Sequence, residues 1–240
     1  MGRRDHRLLG GERRPPLARA ALGRGREPRV LQDERGRGLP RARHRARRAH
    51  GERGLLVARY LVAMTGASGA AYGVDFVKRC PGEKYLVLSA WARHVLQSEL
   101  GLKPTDLEPH VKKLFRDDDL AAPFSSGSNR YDAMVILPCS VSTLAKIATG
   151  IADTLITRAA AVALKERMRL VVCVRETPLS GIALENMLRL SREGVVIAPV
   201  SPPWYRNPRD LAELVGGFTD KMLHLLGEPA GEGWRESDLE

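Results

Sequence analysis

Lysine is missing from the first 58 residues of this 240-residue chain, a segment that holds 17 Arg and only 6 acidic residues. The whole formal excess of +11 sits there, because 22 basic and 22 acidic residues balance from Arg59 onward. A charge-balanced body excludes a general nucleic-acid binder, whose basic surface has to belong to the folded domain. No apolar run approaches the roughly 20 residues of a membrane span, and the N-terminus lacks the apolar core of a signal peptide. Cysteine is scarce: Cys80, Cys139 and Cys173 form no CxxC pair. Buried, reduced thiols in a cytoplasmic protein are therefore expected. Of the six His, His6, His44 and His50 precede Arg59 and the others make no ligand-spaced pair, so no metal is expected.

The Arg-rich segment 1–58, with runs such as Arg41-Ala-Arg-His-Arg-Ala-Arg-Arg48, has no sustained apolar periodicity and scatters Gly and Pro. Such a composition buries too little apolar surface to fold alone, so disorder is expected. Three readings of it stay open: a solvated tail, an RNA- or membrane-binding arm, and translation from an upstream start in a GC-rich frame. Residues 59–227 have the size of one ordinary domain, and 228–240 form a C-terminal tail.

Within that domain apolar, β-rich runs alternate with helical patterns. Tyr60–Met64 precedes a helix from about Gly69, Lys84–Ser89 precedes Ala90–Leu100, and Ala133–Leu137 precedes Ser140–Thr149. Leu170–Val174 then precedes Ile182–Arg192, and Val195–Ala198 precedes Pro208–Leu226. Strands that are apolar throughout indicate a parallel sheet covered on both faces, a doubly wound α/β domain. Ligands of such sheets bind beyond the carboxyl ends of the strands. The segments there are Thr-Gly-Ala-Ser-Gly (65–69), Ser-Ala-Trp (89–91), Pro-Cys-Ser-Val-Ser-Thr (138–143), Arg-Glu-Thr-Pro-Leu (175–179) and Pro-Val-Ser-Pro-Pro-Trp-Tyr (199–205).

The first of these is a strand, a glycine turn with a hydroxyl, and a helix start, a combination suited to an anion. A dinucleotide site would need G-x-G-x-x-G and an acid closing the second strand, but Gly66, Gly69 and Gly73 are spaced otherwise and the second strand ends in Ser89. A nucleophile elbow fails because Ala70 stands where its last glycine belongs. A mononucleotide site fits best, with Ser68, Ser89 and Ser140 to Thr143 offering short hydroxyls at successive strand ends, as a flavin mononucleotide requires. Taken singly, each serine is also an ordinary helix cap.

Further segments support a family resemblance. Thr-Gly-Ala-Ser-Gly-Ala-Ala-Tyr-Gly (65–73), Ser-Ser-Gly-Ser (125–128), Ile-Leu-Pro-Cys-Ser-Val-Ser-Thr-Leu (136–144) and Thr-Arg-Ala-Ala-Ala-Val-Ala-Leu-Lys-Glu-Arg (157–167) occur in order, followed by Val-Arg-Glu-Thr-Pro-Leu (174–179) and Pro-Pro-Trp-Tyr (202–205). Across residues 59–227 the chain resembles the flavin prenyltransferases, the UbiX family. The resemblance implies a flavodoxin-like, Rossmann-like fold and a homo-oligomer, commonly a dodecamer, with the site at a subunit junction. It further implies that reduced FMN and dimethylallyl monophosphate are joined at N5 and C6, without a metal, into prenylated FMN for a UbiD-type decarboxylase. On matching positions, Gly66, Ala67, Ser68, Ser89, Ser140, Val141, Ser142, Thr143 and Arg158 would contact FMN. Lys165, Arg175, Tyr205 and Lys221 would hold the prenyl phosphate, and Glu176 with Ser68 would move protons.

The residues themselves allow independent readings. Arg158 and Lys165, seven apart in a helical pattern, share one face, although Lys165, Glu166 and Arg167 also fit a solvated charged face. Arg175 and Glu176 leave a buried strand, so they face a polar cleft or each other. Lys221 stands where many relatives have Arg, and Ala90 where they often have Lys. Two rival functions remain open at this stage: an FMN-dependent cysteine decarboxylase of the phosphopantothenoylcysteine type, and a non-catalytic flavin-binding subunit. The cationic cluster with Glu176 argues against both.

Overall fold

The computed structural model describes residues 57–231, so segment 1–56 and the last residues of the C-terminal tail lie outside the described residues. Six strands form one parallel sheet: β1 (Arg59–Met64), β2 (Glu83–Leu88), β3 (Lys113–Arg116), β4 (Ala133–Cys139), β5 (Arg169–Val174) and β6 (Val196–Ile197). Their spatial order is β3-β2-β1-β4-β5-β6, the doubly wound arrangement of Rossmann type. The order reverses between β1 and β4, which pair in parallel from Tyr60 with Ala133 to Ala63 with Ile136.

Helices cover both faces, as apolar strands require. Tyr60, Val62 and Met64 point into a core shared with α1 (Ala70–Arg79), α2 (Ala90–Leu100) and α6 (Leu211–Leu226). Leu61 and Ala63 point the other way, into a core shared with α3 (Val141–Thr149), α4 (Leu155–Lys165) and α5 (Gly181–Arg192). Alternate side chains of a strand face opposite sides, so a strand between two helical layers has no position to spare for a polar residue.

The helix starts follow local chemistry. Ser89, Ser140, Thr154, Ser180 and Asp210 each accept a hydrogen bond from a first-turn backbone N–H of α2 to α6. The exception is α1, where Gly69 at φ 101 offers no side chain. Gly73 lies where α1 crosses the sheet, and a Cβ there would meet Leu137 O at 2.5 Å and Met64 Cε at 2.7 Å.

Four elements differ from the expectation. The alternating runs predict five strands, but β3 adds a sixth at the sheet edge with only Phe115 of its four residues buried. Edge strands carry charge and lack a second partner, so they show no apolar run. The crossover from β4 to β5 contains two helices, α3 and α4. Strand β6 is limited to Val196–Ile197, and α6 begins at Leu211 instead of Pro208 because Asp210 caps it.

Candidate functional site

The topological switch point, the crevice where strand order reverses, lies between the segments following β1 and β4. Thr65, only 2% exposed, joins them. Its N–H and hydroxyl each donate to Pro138 O at 3.1 Å, and its hydroxyl oxygen accepts from Ser140 N at 2.8 Å. The end of β5 is drawn in as well, since Arg175 N donates to Cys139 O at 3.1 Å. Three of the hydroxyl-bearing or charged segments read from the sequence are thus tied together by backbone.

At the first turn the structure supplies an anion of its own. Glu99, near the end of α2, accepts from Gly69 N at 2.9 Å and from Ala70 N at 2.8 Å, filling the helix start that lacks a capping side chain. Burial raises the pKa of Glu99, but hydrogen bonds from Ser68, Ala70 and Gly69 and the charge of Arg175 outweigh it, and the net value is lowered. Arg175 Nε donates to Ser68 O at 3.0 Å, so this arginine faces the first turn and not Glu176. Gly66 passes under Trp91, where a Cβ would come within 2.4 Å of Trp91 Cβ. Ala67 is buried while Ser68 is exposed.

The other hydroxyls are helix caps that follow β2 and β4. Ser89 Oγ accepts from Ala92 N at 3.0 Å. Ser140 Oγ accepts from Thr143 N at 3.3 Å and donates to Thr143 Oγ1 at 3.1 Å. Val141 and Ser142 occupy the first two positions of α3, whose N–H groups have no intrahelical acceptor. Glu176 is exposed, and its carboxylate accepts from Thr177 N at 2.9 Å.

Arg158 and Lys165 are exposed on one face of α4, two turns apart as expected, but they belong to a second group. Arg158 Nε donates to Ser125 O at 3.1 Å, and Lys165 is paired with Glu166. A Cβ on Gly127 would meet Lys165 Nζ at 2.9 Å, so the Ser-Ser-Gly-Ser loop lies against the end of α4. Arg167 turns away to Glu193 at 3.6 Å. Among the described residues no hydrogen bond or ion pair joins Arg158 or Lys165 to the switch-point group. Tyr205 is half exposed on the short turn Trp204–Arg206, and Lys221 is exposed on α6.

Glu99 is the residue that sequence reasoning missed. It lies about thirty positions from the turn it serves, and the available signal was negative: α1 has no capping side chain and no acid in its first turn. The three thiols are buried, and desolvation pushes Cys80 and Cys139 up to about 12. No described helix is long and apolar enough to cross a membrane.

Known proteins share this sequence and fold. Residues 50–223 match the family described as Flavoprotein. The flavin prenyltransferase UbiX of Thermoplasma acidophilum is 47% identical over 170 residues, covering 70% of this chain and 94% of that relative. The crystal structure of AnUbiX (PadA1) in complex with FMN and dimethylallyl pyrophosphate is 40% identical, with TM-score 0.71, over 75% of this chain and 100% of that one. A dodecameric FMN-dependent UbiX-like decarboxylase from Escherichia coli O157:H7 is 39% identical, with TM-score 0.71, over 74% of this chain and 99% of that one. With such identity over nearly the full length of these relatives, the chain belongs to the flavoprotein family and, within it, to the UbiX flavin prenyltransferases.

Proposed function

We propose that this chain transfers the dimethylallyl group of dimethylallyl monophosphate to reduced FMN, making prenylated FMN that a UbiD-type decarboxylase receives in the cytoplasm. The carrying observation is the convergence of the Ser68 turn, the Ser140 helix start and Arg175 on one switch-point crevice. The residues fit FMN: Gly66 keeps the turn flat under Trp91, and short hydroxyls border the crevice on two sides. Because Glu99 holds the start of α1, the flavin phosphate belongs at the start of α3, against Val141, Ser142 and Thr143. When bound, reduced FMN supplies the nucleophilic N5 and the ring carbon C6.

Arg175 orients the Ser68 carbonyl and presents its remaining N–H groups to the donor phosphate. Glu176, exposed next to it, takes and returns a proton near the departing phosphate, with Ser68 as its relay. Trp91, Trp204 and Tyr205, all half or more exposed, shelter the allyl group from water. Arg158 and Lys165, separate from the crevice of their own chain, serve the crevice of a second copy in a homo-oligomer, a dodecamer like the E. coli neighbour. The working unit is residues 59–227.

The test is anaerobic incubation of the chain with reduced FMN and dimethylallyl monophosphate, followed by mass and absorbance. A product heavier than FMN by one dimethylallyl group, less the displaced hydrogen, is expected. Unchanged FMN with both the monophosphate and the pyrophosphate would overturn the assignment, and decarboxylation of a cysteine substrate would replace it. Turnover with the pyrophosphate alone would revise the donor.

A further inference from the structure

A second polar arrangement lies outside the switch-point crevice. Asp220 on α6 is 7% exposed, yet it is a charged residue between two arginines from distant parts of the chain. Its Oδ1 is paired with Arg79 Nη2 at the end of α1, and its Oδ2 with Arg206 Nη1 on the turn that carries Trp204 and Tyr205. Arg79 Nη1 also donates to Gly216 O at 3.0 Å and pairs with Asp75 at 3.3 Å. Burial alone would raise the pKa of Asp220, but the hydrogen bonds from Arg206 and Arg79 outweigh it and keep the carboxylate ionised.

The helix is shaped to admit this bridge. Gly216 and Gly217 are consecutive in the interior of α6, where glycine weakens a helix. A Cβ on Gly216 would meet Arg79 Nη1 at 3.2 Å, and one on Gly217 would meet Pro203 Cγ at 3.1 Å and Arg206 Cδ at 3.5 Å. The glycines are therefore places where the arginine and the proline turn lie against the helix backbone. Asp220 is three residues beyond Gly217 and Lys221 four, so both lie one turn further along from that contact. Asn207, in the left-handed region at φ 49, closes the turn immediately after Arg206.

We infer that Asp220 is a positioning residue for the donor end of the site: through Arg206 it locks the turn bearing Tyr205 onto α6, one helical turn from Lys221. Tyr205 and Lys221 come from different elements and are both exposed, so their separation depends on how the turn is held to α6. Arg79 anchors the same carboxylate to the body of the domain, which distinguishes the two arms: one reaches the turn and the other does not. The lock acts on binding of the donor and leaves the switch-point crevice and Glu176 untouched. This inference rests on the proposed role of Tyr205 and Lys221 in holding the prenyl phosphate.

The experiment compares Arg206→Met with Arg79→Met in the full chain, avoiding a direct change of the buried carboxylate. In Arg206→Met, amide exchange of residues 202–207 is expected to quicken at least about tenfold and the KM for dimethylallyl monophosphate to rise about tenfold, with kcat and FMN affinity within about twofold. Arg79→Met should leave both the exchange and the KM within about twofold, and Arg206→Lys, which keeps a charge for Asp220, should restore most of the KM. Equal effects from the two arms, unchanged exchange in Arg206→Met, or a fall in kcat without a rise in KM would overturn the inference. Absence of turnover in the unmodified chain refutes the proposed reaction instead, and the exchange comparison then decides the lock by itself.

Discussion

Ser68 and Lys165 are both polar residues of the proposed site, but the chain treats them differently. Ser68 sits in a turn whose backbone is bonded to Glu99 and Arg175, next to a strand end fixed by Thr65. Lys165 projects from the end of α4, paired only with its sequence neighbour Glu166 among the described ion pairs. The first region is organised before any ligand arrives, as a site that orients a cofactor should be. The second is a set of exposed cations whose energetic value in water is small, because exposed ion pairs contribute at most about 1 kcal/mol. Such cations become effective when another surface covers them and removes the water, which is why the α4 group is assigned to the crevice of a neighbouring copy.

The largest test of that contrast is within the organised region. Glu176→Gln keeps shape and hydrogen bonding but cannot exchange a proton near neutral pH, so prenylated FMN should form at least about a hundredfold more slowly while FMN titration is unchanged. Loss of FMN binding in that variant would move Glu176 into the flavin contacts. The contrast itself is sharpened by co-expressing Glu176→Gln subunits with Lys165→Ala subunits. If α4 serves a neighbour's crevice, a random mixture contains about a quarter of sites with both wild-type residues, and turnover should recover to that level. No recovery would place both residues in one chain's site.

A smaller effect is expected at the donor end. Lys221→Arg should lower the KM for dimethylallyl monophosphate by about fivefold, on the order of 1 kcal/mol, by adding a second charge-assisted hydrogen bond. Weaker binding would mean that the pocket is shaped around lysine.

Glu99→Gln should lower stability by about 0.5 kcal/mol at pH 7, the ordinary value of an exposed anion at a helix start. The folded-state pKa of Glu99 is lowered, so its contribution is complete above the unfolded carboxylate value of about 4.3 and disappears as pH falls through the lowered folded value. Urea midpoints of the two proteins should therefore converge in acid, and a gap that stays constant with pH would show that the charge of Glu99 is irrelevant. Smallest of all, removal of residues 1–57 should leave FMN affinity and turnover unchanged, and lost activity would show that the working unit begins earlier.

Much of the fold was legible because its causes are local. Strand β4 is apolar at every position, and β1 and β5 are so after their exposed first residues Arg59 and Arg169, as a sheet covered on both faces demands. The caps Ser89 and Ser140 were legible as hydroxyls at strand ends, and each caps the helix that follows. β3 was not legible, because an edge strand with one buried residue carries no periodicity. The choice for Arg175 between a cleft and Glu176 was also open in the sequence, since both partners satisfy a charge leaving a strand, and the contact to Ser68 settles it.

The sequence by itself determined the class of sheet, the positions of the helix starts and the kinds of side chain offered at the strand ends, because each depends on residues within a turn or two of one another. Only the tertiary structure decided the strand order and hence which two of those ends share a crevice. It alone brought Glu99 to the uncapped start of α1 and joined Arg79 and Arg206 through Asp220. Those contacts span about thirty residues or more of chain, except for the short step from Arg206 to Asp220. A buried or helix-facing charge takes whatever partner packing delivers, and spacing along the chain does not encode which one that is.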